Sequence, residues 1–295
     1  MTQASAGQPE KKILVVSLAG IGDTLLATPL IRGLRERLPR AQIDTLVMWP
    51  GAKDLLEGNP HLNAIHYCNL LKENHFRNLS FLWHLRRQRY DLSLNAYPQG
   101  KIHYRITARL IGARRRLSHY YENRSFLDDW LMTDALEQDY QIHCIDNNLN
   151  FLPRLGLAIP SDLDCELFFT AGETAWAAEF AHTQALAQKT VLGLHVGSGK
   201  TKNLILKRWP LDHYVTLCRE LLARNPNLVL LLFGGPEEKA DNEELIRNLP
   251  ADRVQQVPSR TMKQAAALLG HCELFLSVDN VFMHLAATMK VPRQI

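Results

Sequence analysis

Between Lys12 and Leu18 the chain reads KILVVSL, a run with hardly a polar side chain after the first. A strand that is apolar on both faces belongs inside a parallel sheet, with helices covering each side. Leu26, Leu30, Leu34 and Leu38 then repeat at helical spacing, so a βα unit opens the fold. Pro29 falls beyond the first turn of that helix, where a missing amide donor predicts a kink. Further strands are expected at AQIDTLVMW (41–49), NAIHYC (63–68) and YDLSLNAY (90–97), with helices over 52–57, 79–89 and 102–111. From about Asp128 to Leu157 the pattern is mostly helical, and GLAIPSDLDCELFFT then mixes proline with acids as a connector does.

The alternation restarts with TVLGLHV (190–196), a glycine-rich loop, a helix over 211–224 and the strand LVLLLFG (228–234). Helices over 237–248 and 263–270, the strand ELFLSV (273–278) and a short helix after Asp279 follow. The expected fold is α/β, with two Rossmann-like doubly wound domains, residues 1–165 and 166–295, and a cleft between them. No solenoid repeat or low-complexity tract interrupts the pattern. The sequence ends at VPRQI, where another strand is due, so the second domain is expected to be abbreviated at its C-terminus.

Composition narrows this picture. With 46% hydrophobic residues in 295, the chain can bury two cores. The net charge of +4 is confined to the first half: residues 1–150 carry 19 Lys and Arg against 15 Asp and Glu, and the rest is balanced at 15 against 15. Nine basic residues lie between Arg86 and Arg116 against the single acid Asp91. Such a cluster suits phosphates, acidic sugars or anionic lipid, or it is a solvated helix face. No nucleic-acid motif accompanies it, so no nucleic-acid partner is expected. Five scattered cysteines suggest neither a disulfide framework nor a zinc site, which fits a reducing cytoplasm. No signal peptide and no stretch long enough to span a bilayer is evident, so any membrane contact is expected to be peripheral.

Three loops carry candidate chemistry. The first, AGIGDT, follows the opening strand at the carboxyl edge of the sheet, where ligands bind and where Gly20 and Gly22 allow close approach. Leu25 stands where a dinucleotide fingerprint needs a third small residue, and Asp44 sits near the start of the second strand rather than at its end, so a nicotinamide-dependent oxidoreductase is disfavoured. Asp23 reads either as a helix N-cap or as a carboxylate able to take a proton from a bound hydroxyl. The second loop, HVGSGKTKNLILKRWP, offers Gly197, Ser198 and Gly199 as donors for an anion and Lys200, Lys202, Lys207 and Arg208 as cations; the alternative is a basic surface loop. In the third, LFLSVDNVFMHLAA, a helix start at residues 280–283 directs amides at a diphosphate, while Asp279 reads alternatively as the cap and His284 as a core residue. FGGPEE ends a further strand, where Glu237 or Glu238 suits ribose hydroxyls or the helix dipole. No triad or metal-binding histidine pair is evident.

Together, ILVVSLAGIGDTLLATPLIRGLRERLPRAQIDTLV, LLEGNPHLNAI, GLHVGSGKTKNLILKRWP, LLLFGGPEE and LFLSVDNVFMHLAA occur in an order that resembles the bacterial ADP-heptose:lipopolysaccharide heptosyltransferases of glycosyltransferase family 9. The resemblance implies a GT-B architecture, an acceptor-binding first domain and a donor-binding second one. It implies an inverting, metal-independent transfer of heptose from ADP-heptose to an anionic inner-core glycolipid, without a cofactor, in the cytoplasm or peripherally at the inner membrane. Carried over by motif, Asp23 is the general base, and Gly20, Gly22 and Arg115 lie on the acceptor side. Lys207, with Gly197, Ser198, Glu237, Asp279, Asn280, Val281 and His284, binds the donor. Two departures follow: Val281 stands where the family motif has glycine, and the family's terminal strand and helix are missing. Both point to the alternative of a non-catalytic or altered-specificity sugar-nucleotide binder.

Overall fold

The computed structural model describes residues 11–122, 124–198 and 204–295. Gly199, Lys200 and Lys202 of the proposed anion loop therefore lie outside the described residues. Two compact units divide the chain, Met1–Glu166 and Leu167–Ile295. Each is built on one all-parallel sheet.

In chain order the first unit contains β1 (Lys12–Ser17), α1 (Ile21–Leu25), α2 (Thr28–Arg37), β2 (Gln42–Val47), α3 (Pro50–Leu56), β3 (Ala64–Tyr67) and α4 (His75–Arg87). It continues through β4 (Leu92–Asn95), α5 (Ile102–Ile111), β5 (Arg115–Tyr120), α6 (Phe126–Leu131), β6 (Asp134–Glu137), α7 (Cys144–Leu149) and α8 (Phe151–Arg154). The strand order is β3-β2-β1-β4-β5-β6. The opening strand is apolar throughout because both of its faces are covered. Ile13 and Val15 join Leu30, Ile31 and Leu34 of α2 and Ala52 and Leu56 of α3 in one core. Leu14 and Val16 join Leu82 and Leu85 of α4 and Tyr104 and Ile111 of α5 in another. Strand order reverses between β1 and β4, and the crevice outside their carboxyl ends is where open α/β sheets hold ligands.

Pro29 produces a break rather than a kink. The helix expected to run continuously is two helices, and Pro29 sits in the first turn of the second, where an amide has no intrahelical partner to lose. The region expected to be mostly helical after Asp128 contains the strand β6, and β5 ahead of it was not anticipated either. β6 is the edge strand and β5 lies beside it, and both begin with charged residues, so neither shows the apolar run that marks β1. The connector is not loose. Glu166 accepts from Arg32 at 2.5 Å, Asp162 offers its carbonyl to the same guanidinium, and the Glu166 amide donates to Thr28.

The second unit contains α9 (Ala171–Thr183), β7 (Thr190–His195), α10 (Leu211–Arg224), β8 (Leu228–Leu232), α11 (Lys239–Asn248), β9 (Val254–Gln256), α12 (Met262–Leu269), β10 (Leu274–Ser277), α13 (Val281–Thr288) and β11 (Arg293–Gln294). Its order is β11-β10-β7-β8-β9, with the reversal between β7 and β10. Leu192 and Leu194 pack on Tyr214, Cys218 and Leu222 of α10 and Leu245 of α11. The helix α9 and the short strand β9 were not anticipated from the sequence, whereas β11 lies in VPRQI, where a strand was due. Asp44 lies inside β2, fully buried, where it accepts from Tyr90 at 2.7 Å and Gln42 at 2.9 Å. Burial alone would raise this carboxyl; the hydrogen bonds from His66, Tyr90 and Gln42 outweigh it and hold it below the usual range. It is a structural acid, not a ribose ligand.

Candidate functional site

The loop between β1 and α1 lies at the reversal point of the first sheet. Gly20, not Asp23, is the N-cap of α1, in extended backbone at φ −133° and ψ 169°. Asp23 is the third residue of the helix. The sequence alternative of Asp23 as cap is thereby overturned, because the chain turns helical at Ile21, three residues earlier than a cap at Asp23 requires. Asp23 lies in the first turn, whose amides have no intrahelical partners. A Cβ on Gly20 would lie 2.7 Å from Asp23 Oδ2, so the glycine is needed for space rather than for an unusual backbone angle. Thr24 fastens the turn, donating to the Gly20 carbonyl at 3.0 Å and meeting Ser17 Oγ at 2.9 Å.

Around Asp23 gather residues that the sequence alone does not mark. The ionisations of Tyr97, Tyr104 and Cys144 are all pushed up, chiefly by burial, and the negative charge of Asp23 adds to each. Tyr97 follows β4, Tyr121 follows β5 and Gln138 follows β6, so all three loops issue from the carboxyl edge that carries Asp23. They are tied together. Tyr97 receives a hydrogen bond from Gln138 at 3.0 Å on its hydroxyl and donates its amide to Asn148 at 2.7 Å. The Gln99 amide donates to the Tyr121 hydroxyl at 2.7 Å, and the Gln99 side chain donates to the carbonyls of Val16 and Ala96. The Tyr97 and Tyr121 rings stack at 6.1 Å. Beside them His119 is buried, donates Nε2–H to the Asn147 carbonyl at 3.0 Å, and is pushed down to about 4 by desolvation. Its Nδ1, Gln99 Oε1 and Asn148 Nδ2 are buried without a protein hydrogen bond. Sequence reasoning missed Tyr121 and Gln138 because β5 and β6 were missed, and with them the loops they end in; Tyr97 and Gln99 follow β4, which was read, but nothing local marks them.

Arg115 is placed elsewhere. It begins β5, at the amino edge of the sheet, and pairs with Asp134 at 2.7 Å, so the structure does not bring it to Asp23. The basic cluster around it is likewise broken up by the fold. Arg105 is buried against Asp128 at 2.5 Å, and Arg116 is buried on the carbonyls of Leu131 and Ala113.

In the second unit the loops after β7, β8 and β10 converge. Gly197 packs so closely on Glu238 that a Cβ there would lie 2.1 Å from its Oε1. Glu238, the N-cap residue of α11, is buried and accepts from the Gly235 amide at 2.9 Å. Of the two adjacent acids, Glu237 is exposed and Glu238 turns inward. Arg208 reaches Ser198 Oγ at 3.4 Å, Asp241 at 3.1 Å and Glu238 at 3.7 Å. Lys207 forms an ion pair with Asp279. The N-cap of α13 is Asn280, whose Oδ1 takes the Phe282 amide at 2.8 Å; Asp279 is not the cap and stays exposed. The Asn280 amide donates to the Gly197 and Val278 carbonyls at 2.9 Å and lies 3.1 Å from Nδ1 of His195, clamping the β10 loop onto the β7 loop. His195 is buried under Phe282 at 4.3 Å and is pushed down to about 4 by burial, so it is neutral near pH 7. Val281 starts α13, and His284 lies half-buried within it. Gly197, Ser198, Lys207, Asp279 and Asn280 are thus assembled at one reversal point. Arg208, Glu238 and His195 support them.

Chemically, the first assembly offers a carboxylate beside tyrosines and amides, a setting for hydroxyl-rich ligands. The second offers a lysine, an arginine and a glycine turn, a setting for an anion. Among the described residues no group of three or more His, Cys, Asp and Glu is arranged to hold a metal ion. None of their helices is long and apolar enough to cross a membrane.

The model of glycosyltransferase family 9 (heptosyltransferase) matches residues 79–293. Lipopolysaccharide heptosyltransferase 3 of Escherichia coli K12 is 27% identical over 277 residues, spanning 92% of this chain and 78% of the relative. Lipopolysaccharide heptosyltransferase 2 of Salmonella typhimurium LT2 is 25% identical over 301 residues, spanning 95% and 81%. Among solved structures, a family 9 glycosyl transferase of Veillonella parvula superposes with a TM-score of 0.78 at 21% identity, covering 96% of this chain and 79% of that one. The E. coli heptosyltransferase WaaC, solved with ADP, gives 0.69 at 19%, covering 96% and 86%.

Proposed function

The chain belongs to glycosyltransferase family 9, and we propose that it transfers heptose from ADP-heptose to an inner-core lipopolysaccharide acceptor, with inversion and without an essential metal. In this reading residues 1–165 hold the acceptor and residues 166–295 the donor. The observation that carries it is the position of Asp23. With Gly20 as the cap, the carboxylate stands in the first turn of α1 at the ligand edge of its sheet.

Asp23 removes the proton from the acceptor hydroxyl as its oxygen attacks the anomeric carbon on the face opposite ADP. The new glycosidic C–O bond forms while the bond to the diphosphate oxygen breaks, and ADP departs with that electron pair. The proton remains on Asp23. Lys207 neutralises the growing diphosphate charge, and Gly197, Ser198 and the amides at the start of α13 add hydrogen bonds. Glu237 or its buried neighbour Glu238 receives the ribose hydroxyls. Tyr97 and Gln99 line the acceptor beside Gly20 and Gly22. The acceptor places the enzyme on the cytoplasmic side of the inner membrane.

Val281 favours a second reading. A valine opens α13, so a side chain stands where glycine would let a phosphate approach the backbone closely, and the Phe282 amide is already taken by Asn280. A donor-binding protein that no longer turns over fits that arrangement. One experiment separates the two. ADP release from ADP-heptose is followed with a heptose-deficient lipopolysaccharide acceptor, with and without chelator, beside calorimetry with ADP. Transfer is expected in chelator, and Asp23→Asn is expected to reduce kcat by about 10²–10⁴-fold at unchanged ADP affinity. ADP binding with no transfer to any acceptor selects the second reading. Full turnover by Asp23→Asn removes this carboxylate from the mechanism.

A further inference from the structure

A loop that holds a charged sugar sets a cation, most often a guanidinium, against its phosphate or carboxylate. The loops that share the carboxyl edge with Asp23 do not. Residues 96–101 after β4, 121–125 after β5 and 138–143 after β6 contain the strong bases Lys101 and Arg124 against the acids Glu122 and Asp139. Arg124 pairs with Asp129 at 3.1 Å and lies 3.7 Å over the Tyr120 ring. Lys101 is exposed as the N-cap residue of α5. Arg115 stands at the amino edge of the sheet. What the three loops supply instead is tyrosine and amide: Tyr97, Gln99, Tyr121, Gln138 and Tyr140.

These groups are fixed from beneath. The Ala96 amide and the Gln99 side chain both donate to the Val16 carbonyl, which ties the Tyr97 loop to the end of β1, just ahead of the Asp23 turn. The Tyr97 ring meets His119 edge-on at 5.8 Å and stacks on Tyr121 at 6.1 Å. A Cβ on Gly100 would lie 3.3 Å from the Tyr121 ring, so that ring is backed by main chain. Gln138 donates to the Tyr97 hydroxyl at 3.0 Å and so occupies one lone pair; the phenolic proton and the second lone pair are left to meet a ligand hydroxyl. A second negative charge is unwelcome here. Burial and the charge of Asp23 push up the ionisations of Tyr97 and Tyr104, and both act alike on a phosphate or carboxylate placed beside them. An uncharged sugar escapes that penalty, since its C–H face packs on an aromatic ring and its hydroxyls pair with phenol and amide groups.

We infer that Tyr97, with Tyr121 and Gln138 behind it, selects an acceptor whose reacting sugar is uncharged, any charge on the glycolipid lying outside this group. The inference rests on the reading of Asp23 as the acceptor-side base and deepens it. The transfer assay is run with two truncated lipopolysaccharides, one ending in an uncharged heptose and one in a carboxylated sugar; turnover is expected with the first and not with the second. Tyr97→Phe is expected to raise the KM for the heptose-ended acceptor about tenfold with the KM for ADP-heptose unchanged. A purely structural role for Tyr97 would move both constants together. Lys101→Gln is expected to change neither. Saturation-transfer NMR of the full chain with ADP present supplies a readout that needs no turnover. Methyl heptoside is expected to show contact with the parent protein and with Asp23→Asn, and its phosphate monoester none. Tyr97→Phe and Tyr140→Ala are each expected to weaken the signal, and Tyr140, 57% exposed, can be cut back without loss of packing. Absent transfer with the heptoside contact intact removes the transfer reading alone. The inference is overturned by equal turnover of the carboxylated acceptor, by a KM that rises in Lys101→Gln, by preference for the phosphate monoester, or by heptoside contact that is absent or that neither tyrosine change weakens.

Discussion

Gly197 and Glu238 pose a packing question that one added methyl group answers. A Cβ at residue 197 would lie 2.1, 2.6 and 2.7 Å from Oε1, Cδ and Cγ of Glu238, so the whole side chain must move and cannot simply tilt its tip. Gly197→Ala is expected to destabilise the second unit by about 1–3 kcal/mol. Gly197→Ala in a Glu238→Ala background is expected to cost much less, since the obstructing atoms are gone. Urea denaturation of the four proteins gives the coupling directly; equal costs in both backgrounds would show that the contact is relieved elsewhere. Only part of this was legible in the sequence. The glycine-rich turn after a buried strand announced a close approach, but FGGPEE does not say which glutamate turns inward. That is set by the α11 start, where Glu238 reaches back to the Gly235 amide. Asp23 is similar: an acid ahead of an amphipathic run suits a cap, and only the backbone at Gly20 shows the helix already begun.

Among elements, β1 to β4, β7, β8 and β10 were read from sequence, and β1, β7 and β8 stand out most plainly because continuous apolar runs buried on both faces leave no competing pattern. The strands β5 and β6 begin with arginines and with an aspartate, and their register comes from pairing β5 with β4 and β6 with β5, a tertiary term that no local window contains. The helix α5 was placed correctly, yet its surroundings were not legible, since Tyr104, Ala108 and Ile111 face the core, Ile102, Ile106 and Leu110 face outward, and Arg105 is buried. The burial of Arg105 depends on its pair with Asp128, both of whose side chains are buried. Arg105→Met is expected to cost about 3–5 kcal/mol by stranding the carboxylate, which also serves the Ser125 amide at 2.9 Å. Arg105→Met with Asp128→Leu is expected to recover part of that loss, though not the share due to the capping contact. Equilibrium unfolding of both variants tests this, and an Arg105→Met protein as stable as the parent would show the pair to be dispensable.

Across the whole molecule, each unit holds one deeply buried neutral imidazole, His119 in the first and His195 in the second. Desolvation takes both from an ordinary 6.5 to about 4. The unfolded chain therefore binds these protons near pH 6.5, while the folded units resist them down to about pH 4, so unfolding takes up protons throughout that window. Stability is expected to fall as pH drops from about 6.5 toward 4, by up to about 3 kcal/mol for each histidine. Asp44 acts in the same direction at lower pH. Its folded ionisation is depressed, so the stabilisation it gives is present above the unfolded value and is lost as pH falls through the folded one. Urea midpoints measured from pH 7.5 to 4.5 are expected to decline, with most of the loss below pH 6.5. His119→Gln is expected to flatten the share belonging to the first unit and His195→Gln that of the second, because glutamine offers an amide in place of a titrating ring. A midpoint constant down to pH 5 in the parent protein would mean that both rings accept a proton when folded, and with it the neutral His195 beside Gly197 and Asn280 would have to be redrawn as a cation next to the proposed diphosphate.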